Sequence, residues 1–220
     1  MADRAEAPRW PGLAGDLPVA RIDSLEDDAT HESRSLAGLE LSGQRARGVT
    51  IREARLAEGD LSGSTLDGLH LADVEVVRTN LANVRAGDAA IFGASFTGCR
   101  MTGLTLPGAR LTDVGFRDCR IDLASFSGAG LQRVAFQSCV LRQTDFMDAG
   151  LESVQFIDCD LTQLDLRGAR LARCELHGCK LAGIEGLANL RGAAMPWPDI
   201  IDNAGAWADA LGIGVIDPGE

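Results

Sequence analysis

Tyrosine is absent from this sequence of 220 residues, and seven phenylalanines and three tryptophans hold the aromatic content to 5%, an unusual make-up for a globular chain. Histidine is nearly as scarce. His31, His70 and His177 lie too far apart to make a metal-ligand set, and no Ser/His/Asp or Cys/His arrangement emerges that would activate a nucleophile. Long apolar runs are missing as well. The start, Met1-Ala2-Asp3-Arg4-Ala5-Glu6-Ala7-Pro8, lacks the stretch of a secretory signal, and no segment approaches the length of a membrane span. The expectation is a cytoplasmic chain with no membrane partner. Six cysteines are too few and too dispersed for the disulfide framework of a small secreted domain, so they read as reduced, buried small residues. Positive charge is outnumbered, 21 Lys and Arg against 32 Asp and Glu, and the net −11 argues against direct binding of nucleic acid or acidic lipid while leaving room for a basic partner.

What the sequence has instead is glycine, 26 of it, and a strict period. Stepping by five from Leu36 through Leu41, Ala46 and Ile51 to Leu171, Leu176 and Leu181 gives 30 consecutive positions without a polar residue. Neither a helix of period 3.6 nor a strand of period 2 keeps such a repeat on one core over that length. A chain that turns a corner every five residues does. Two residues before each of these positions runs a second inward series, small or apolar in 28 of 30 cases, with Arg34 and Gln44 as exceptions. Two residues after each central position stands Gly, Asp or Asn in 20 of 30 units, the residue types that tolerate positive φ at a corner.

The units Ala54-Arg55-Leu56-Ala57-Glu58, Ala109-Arg110-Leu111-Thr112-Asp113 and Ala169-Arg170-Leu171-Ala172-Arg173 resemble the A(D/N)LXX pattern of the pentapeptide-repeat family. That resemblance implies an all-β solenoid, a right-handed quadrilateral β-helix with four units per coil, so that residues 20 apart stack. The sequence carries columns of like residues at that spacing: Phe96, Phe116, Phe136 and Phe156 on one face, and Cys99, Cys119, Cys139, Cys159 and Cys179 on the adjoining one. Residues 34–183 then make about 7.5 coils, a rod of roughly 36 Å at the spacing of hydrogen-bonded strands.

The expected organisation is an acidic N-terminal arm and cap over residues 1–33, the β-helix over 34–183, and an irregular last coil, capping helix and tail over 184–220. The arm carries Pro8, Pro11 and Pro18 and is expected to begin as a flexible segment, with His31 on the extended register closing the lower mouth. Pro196-Trp197-Pro198-Asp199 opens a short C-terminal capping α-helix that runs to about Leu211 and stops at Gly212. Trp197, Ile200, Ile201, Ala204, Trp207, Leu211 and Ile213 form its candidate cap or homodimer interface. In several members of the family this helix joins two solenoids end to end.

The cysteine column does not suit a metal, because zinc needs converging tetrahedral ligands whereas a stack points its sulfurs in parallel from one wall. No catalytic, cofactor or metal site is expected, and the chain reads as a non-catalytic interaction rod. Its rival is a binder of DNA gyrase or another topoisomerase that mimics B-DNA and gives quinolone or self-resistance, as family members of the quinolone-resistance type do. The charge distribution disfavours the rival: residues 34–183 hold 17 Lys and Arg against 18 Asp and Glu, whereas residues 1–33 hold 3 against 8 and residues 184–220 hold 1 against 6. Opposite charges interleaved within a Debye length of about 8–10 Å largely cancel, so the rod offers no continuous negative stripe.

Overall fold

Backbone geometry places a corner at every fifth residue. From Asp28 to Gly183 each fifth position, 32 in turn, has positive φ. Glycine fills many of these corners without strain, but Glu53, Arg78, Leu123, Arg133 and Gln143 occupy the same left-handed region. Corner geometry is therefore uniform even where residue preference is not, because the stacked coils on either side impose it. The protein is described here from a computed structural model over residues 4–9, 13 and 15–216. Residues 1–3, 10–12 and 14 of the arm, Pro11 among them, and residues 217–220 of the tail lie outside the described residues.

Between corners the chain is extended and pairs in parallel with the segment 20 residues away: Leu111 with Leu131, Leu131 with Leu151, Leu151 with Leu171. Five strands of eight residues, Thr50–Ala57, His70–Val77, Arg110–Arg117, Gly130–Gln137 and Gly150–Ile157, each fold around a corner and so cover two adjoining faces. The other two faces are tighter. There successive coils meet through single parallel bridges, from Glu40 with Asp60 and Arg45 with Thr65 up to Asp160 with Lys180 and Asp165 with Glu185.

The β-solenoid has about nine turns, more than the 7.5 expected from residues 34–183. Val19–Ala20 pairs with Ser35 and Leu36, Thr30–Glu32 with Thr50 to Arg52, and Ala193–Ala194 with Cys174 and Glu175. Thr30–Glu32 keeps the 20-residue register, whereas Val19–Ala20 and Ala193–Ala194 pair out of register with it, because an end coil without them would expose both its backbone edge and its core. Leu25 is buried in the core at the lower end, and His31 pairs with Ile51 just above it.

Inside, Phe96, Phe116, Phe136 and Phe156 stack with centroids 4.8–5.1 Å apart and planes within 10°. Phe126 and Phe146 make a second stack at 5.0 Å, and they meet Phe136 edge-on at 6.4 and 6.3 Å. Stacked coils impose the parallel spacing within each pile, and the edge-to-face contact between piles is the arrangement that ring quadrupoles favour.

Candidate functional site

The cysteine column is structural in geometry. Each thiol donates to the carbonyl of the central residue 23 positions earlier: Cys99 to Val76, Cys119 to Phe96, Cys139 to Phe116, Cys159 to Phe136 and Cys179 to Phe156, at 3.4–3.5 Å. Cys174, on the adjoining face, does the same to Leu151 at 3.4 Å. Ser64 and Thr144 occupy equivalent positions and make the same bond, to Leu41 at 3.0 Å and to Ile121 at 2.8 Å. All six thiols are free and buried. Contact with the Cys119 thiol and then burial push Cys99 well above the ordinary thiol range, and burial pushes Cys174 up. Among the described residues no three His, Cys, Asp or Glu side chains are placed to hold a metal ion. No helix there is long and apolar enough to cross a membrane.

At the C-terminal end the single expected helix is two: Trp197–Asp202 and Ala204–Ala210, separated by Asn203. The break has a physical reason. Asn203 presents its side-chain amide to the last coil, where Oδ1 accepts the Leu181 N–H at 3.0 Å and Nδ2 donates to the Cys179 carbonyl at 3.1 Å. One amide thus stands in for the next coil. Asp199 adds an acceptor for the Gly178 N–H at 2.7 Å, and Asn189 donates to the Ala169 carbonyl at 3.0 Å.

The candidate interface residues fall into two groups. Trp207, half-buried, packs against the core with Ala206 and Met195 and donates Nε1–H to the Ile200 carbonyl at 3.0 Å. Ile200 is half-buried and Ala204 is exposed. Trp197, Ile201, Leu211 and Ile213 face away from the core, with Trp197 71% and Ile201 57% exposed, and Val215 and Ile216 extend this apolar end. Sequence periodicity puts Ile200, Ile201, Ala204, Trp207 and Leu211 on one helix face, and the break at Asn203 divides them.

A second feature was not read from the sequence. Residues 4–9 lie along the side of the solenoid. The Ala5 N–H donates to Glu175 Oε1 at 3.0 Å and the Arg9 N–H donates to Asp113 Oδ1 at 3.1 Å. Pro8 between them is buried. Asp113 also accepts a bidentate pair of bonds from Arg133, both at 2.7 Å. That Arg133 pair holds the Asp113 carboxyl below the usual carboxylate range against the opposing effect of burial, and the Arg9 N–H adds to it. For Glu175, burial pushes upward, but bonds from Ala5, His177 and Gln155 outweigh it and the net shift is down.

Other ion pairs join neighbouring coils, among them Arg52 with Glu32, Arg55 with Glu75, Arg142 with Asp160 and Arg173 with Glu152, and eight of the 17 Lys and Arg of residues 34–183 are paired with a carboxylate. The near-zero charge of this stretch thus comes partly from direct pairs and partly from interleaved opposite charges.

Comparison with known proteins bears on the repeat. The family described as "Pentapeptide repeat region" matches residues 89–156, and "Pentapeptide repeats (8 copies)" matches residues 149–184. The sequence matches no curated relative. Among solved structures, the chain is similar to HetL from the cyanobacterium Nostoc, a pentapeptide repeat protein involved in heterocyst differentiation regulation, at 19% identity over 78% of this chain and 91% of that one, with a TM-score of 0.38. QnrB1, a plasmid-mediated fluoroquinolone resistance protein, matches at 18% identity over 86% of this chain and 100% of that one, with a TM-score of 0.37. Rfr23 from the cyanobacterium Cyanothece matches at 16% identity over 78% and 91%, with a TM-score of 0.21.

Proposed function

Because the repeats of residues 89–184 place the chain in the pentapeptide-repeat family, we propose that it is a non-catalytic protein-interaction rod that pairs with a second copy through its C-terminal end. The observation that carries this reading is the concentration of exposed large apolar side chains at that end. Trp197, Ile201, Leu211, Ile213, Val215 and Ile216 supply six of the nine on the described chain. The other three, Val19, Phe92 and Leu123, are well separated along the chain. Apolar surface clustered at one end of a rod is best covered by the same end of another copy, since a two-fold contact closes and leaves no further apolar surface for growth into fibres.

Catalysis has little support in this shape. The nucleophilic side chains, the six thiols, point inward and donate to backbone carbonyls, and the outer faces are convex. Mimicry of a polyanion is disfavoured by the balance of 17 Lys and Arg against 18 Asp and Glu over residues 34–183, part of it in ion pairs between coils.

Static light scattering tests the reading. The wild-type chain is expected at twice its monomer mass, and Trp197→Asp with Ile201→Asp at the monomer mass with an unchanged far-ultraviolet spectrum. A monomeric wild type overturns the end-to-end pairing. Supercoiling by purified gyrase, with and without a fluoroquinolone, is expected to be unaffected by micromolar protein. Inhibition or rescue would favour the topoisomerase alternative instead.

A further inference from the structure

Residues 5–9 cross the coils rather than joining them. Glu175 and Asp113 lie 62 positions apart, three coils, or about 15 Å at the spacing of paired strands. Four residues of chain span at most about 14 Å, so the segment from Ala5 to Arg9 runs along the rod between the two levels, and the two side-chain carboxylates reach to meet it. Among the described residues no backbone-to-backbone bond joins residues 4–9 to the solenoid. The arm adds no rung to the ladder, and the coils beneath it are complete without it.

Beneath it the surface is shaped differently from the rest of the rod. The outward column at this register runs Arg55, Glu75, Ser95, Gly115, Ala135, Gln155 and Glu175. Arg55, Glu75 and Ser95 are half-buried, as outward residues on a paired strand should be. Gly115 and Ala135 are buried although they point outward, and so is Ser153 at the neighbouring corner. Small residues here make a trough. The Asp113–Arg133 pair and the Arg173–Glu152 pair line its corner side, and carboxylates stand at its two ends.

We propose that this trough is a docking site for an extended, proline-bearing segment of a partner protein that offers backbone N–H donors to the two end carboxylates, and that residues 5–9 are its tethered occupant. This rests on the reading of the chain as an interaction rod and names the chemistry of what it binds. The arm is the template for that chemistry. Its sequence, Arg4-Ala5-Glu6-Ala7-Pro8-Arg9, sets two alanines and a buried proline between or beside the N–H groups that meet Glu175 and Asp113. Two hydrogen bonds and one buried proline are modest ties, sustained by a tether that supplies an effective concentration on the order of millimolar. A partner segment of the same chemistry meets a preformed site whose resident leaves without any cost to the ladder. Strand addition is unavailable to such a partner, because the coils under the trough already pair on both sides. Recognition therefore falls to the carboxylates and the shape of the floor.

The test uses the full chain with the arm released in place. Ala5→Pro and Arg9→Pro remove the two N–H donors, Pro8→Asp removes the buried contact, and none of these alters the solenoid. The probe is a fluorescein-labelled synthetic peptide of residues 2–13, followed by fluorescence anisotropy. The released variant is expected to bind it at least ten-fold more tightly than wild type, and adding Ala135→Arg to fill the trough should abolish that binding. Equal affinity for wild type and released variant, or no binding to the released variant, overturns the proposal. The thermal midpoint should be the same in both. A fall of many degrees on release would assign the arm to the fold and overturn the proposal equally. Failure here leaves the light-scattering and gyrase outcomes above as they stand, since neither depends on the trough.

Discussion

Cys139 donates its thiol proton to the carbonyl of Phe116, 23 residues earlier and 3.5 Å away, and Ser64 makes the same bond to Leu41 at 3.0 Å. The column therefore selects for a small side chain with one donor rather than for sulfur chemistry. Cys139→Ser should change stability by less than about 1 kcal/mol, the usual worth of a hydrogen bond kept or lost. Cys139→Leu should lose about 1–3 kcal/mol by overpacking. Urea denaturation of the two variants checks both. A thiol reagent at mildly alkaline pH should label none of the six cysteines in the native state and all six after unfolding, because every one of them is buried out of the reagent's reach.

Leu123 is the poorest fit to its own backbone. It sits at a corner with φ 57° and is 56% exposed, so the left-handed conformation is not offset by burial of the side chain. That region costs an ordinary L-residue about 1–2 kcal/mol, part of which glycine returns as greater chain entropy in the unfolded state. Leu123→Gly should raise stability by about 0.5–1 kcal/mol. A lower denaturation midpoint for the variant would mean that Leu123 makes surface contacts worth more than its strain.

Asn203 closes the upper end with one side chain. Replacing it by Leu keeps the volume but strands the Leu181 N–H and the Cys179 carbonyl, at a cost of about 1–3 kcal/mol. Hydrogen exchange at Leu181 should accelerate before exchange at Leu161 or Leu141, since a cap defect frees the outermost coil first. Uniform acceleration along the rod would contradict this.

His31 sits at the opposite end with its Nε2 buried and without a partner. Burial first, and the Arg34 charge second, lower its pKa from the ordinary histidine value. The folded state therefore holds its proton less tightly than the unfolded chain. Its contribution to stability is complete above the ordinary histidine range and is lost as the pH falls through that range and the depressed folded value. His31→Leu, which continues the apolar register, should flatten the dependence of the thermal midpoint between pH 7 and about 5. If both proteins lose stability in parallel over that window, the histidine is not its source.

The solenoid was legible in the sequence because each pentapeptide states its own geometry, and neighbours repeat the statement. Phe116, Phe136 and Phe156 align by counting in twenties, and they are paired in that register. The corners were legible only in part: Gly, Asp and Asn mark most of them, but Leu123 and Arg133 adopt the same φ because the coils on either side leave no alternative. The second phenylalanine pile, Phe126 and Phe146, lay in the inward series and could have been paired by the same counting in twenties. Asn203 was not legible. Its role depends on a helix break that sets one amide opposite residues 179–181, and nothing in a local pattern of apolar residues encodes that placement. The arm was beyond reach for a similar reason, since its partners are 104 and 170 positions away. The one available signal was the shrinking of the outward column to Gly115 and Ala135.

Pairing at a fixed offset of 20 residues makes the rod a ruler. Deleting or duplicating a block of 20 between the two ends would rejoin every rung to an equivalent partner and move the ends by about 4.8 Å, the separation of paired strands. Ala5 and Arg9 are the only described residues that register absolute position along it, because they reach across to particular coils. Whole-turn changes above Glu175 would leave that reach alone, whereas the same change made between Asp113 and Glu175 would pull the two anchor points out of step with a segment of fixed length.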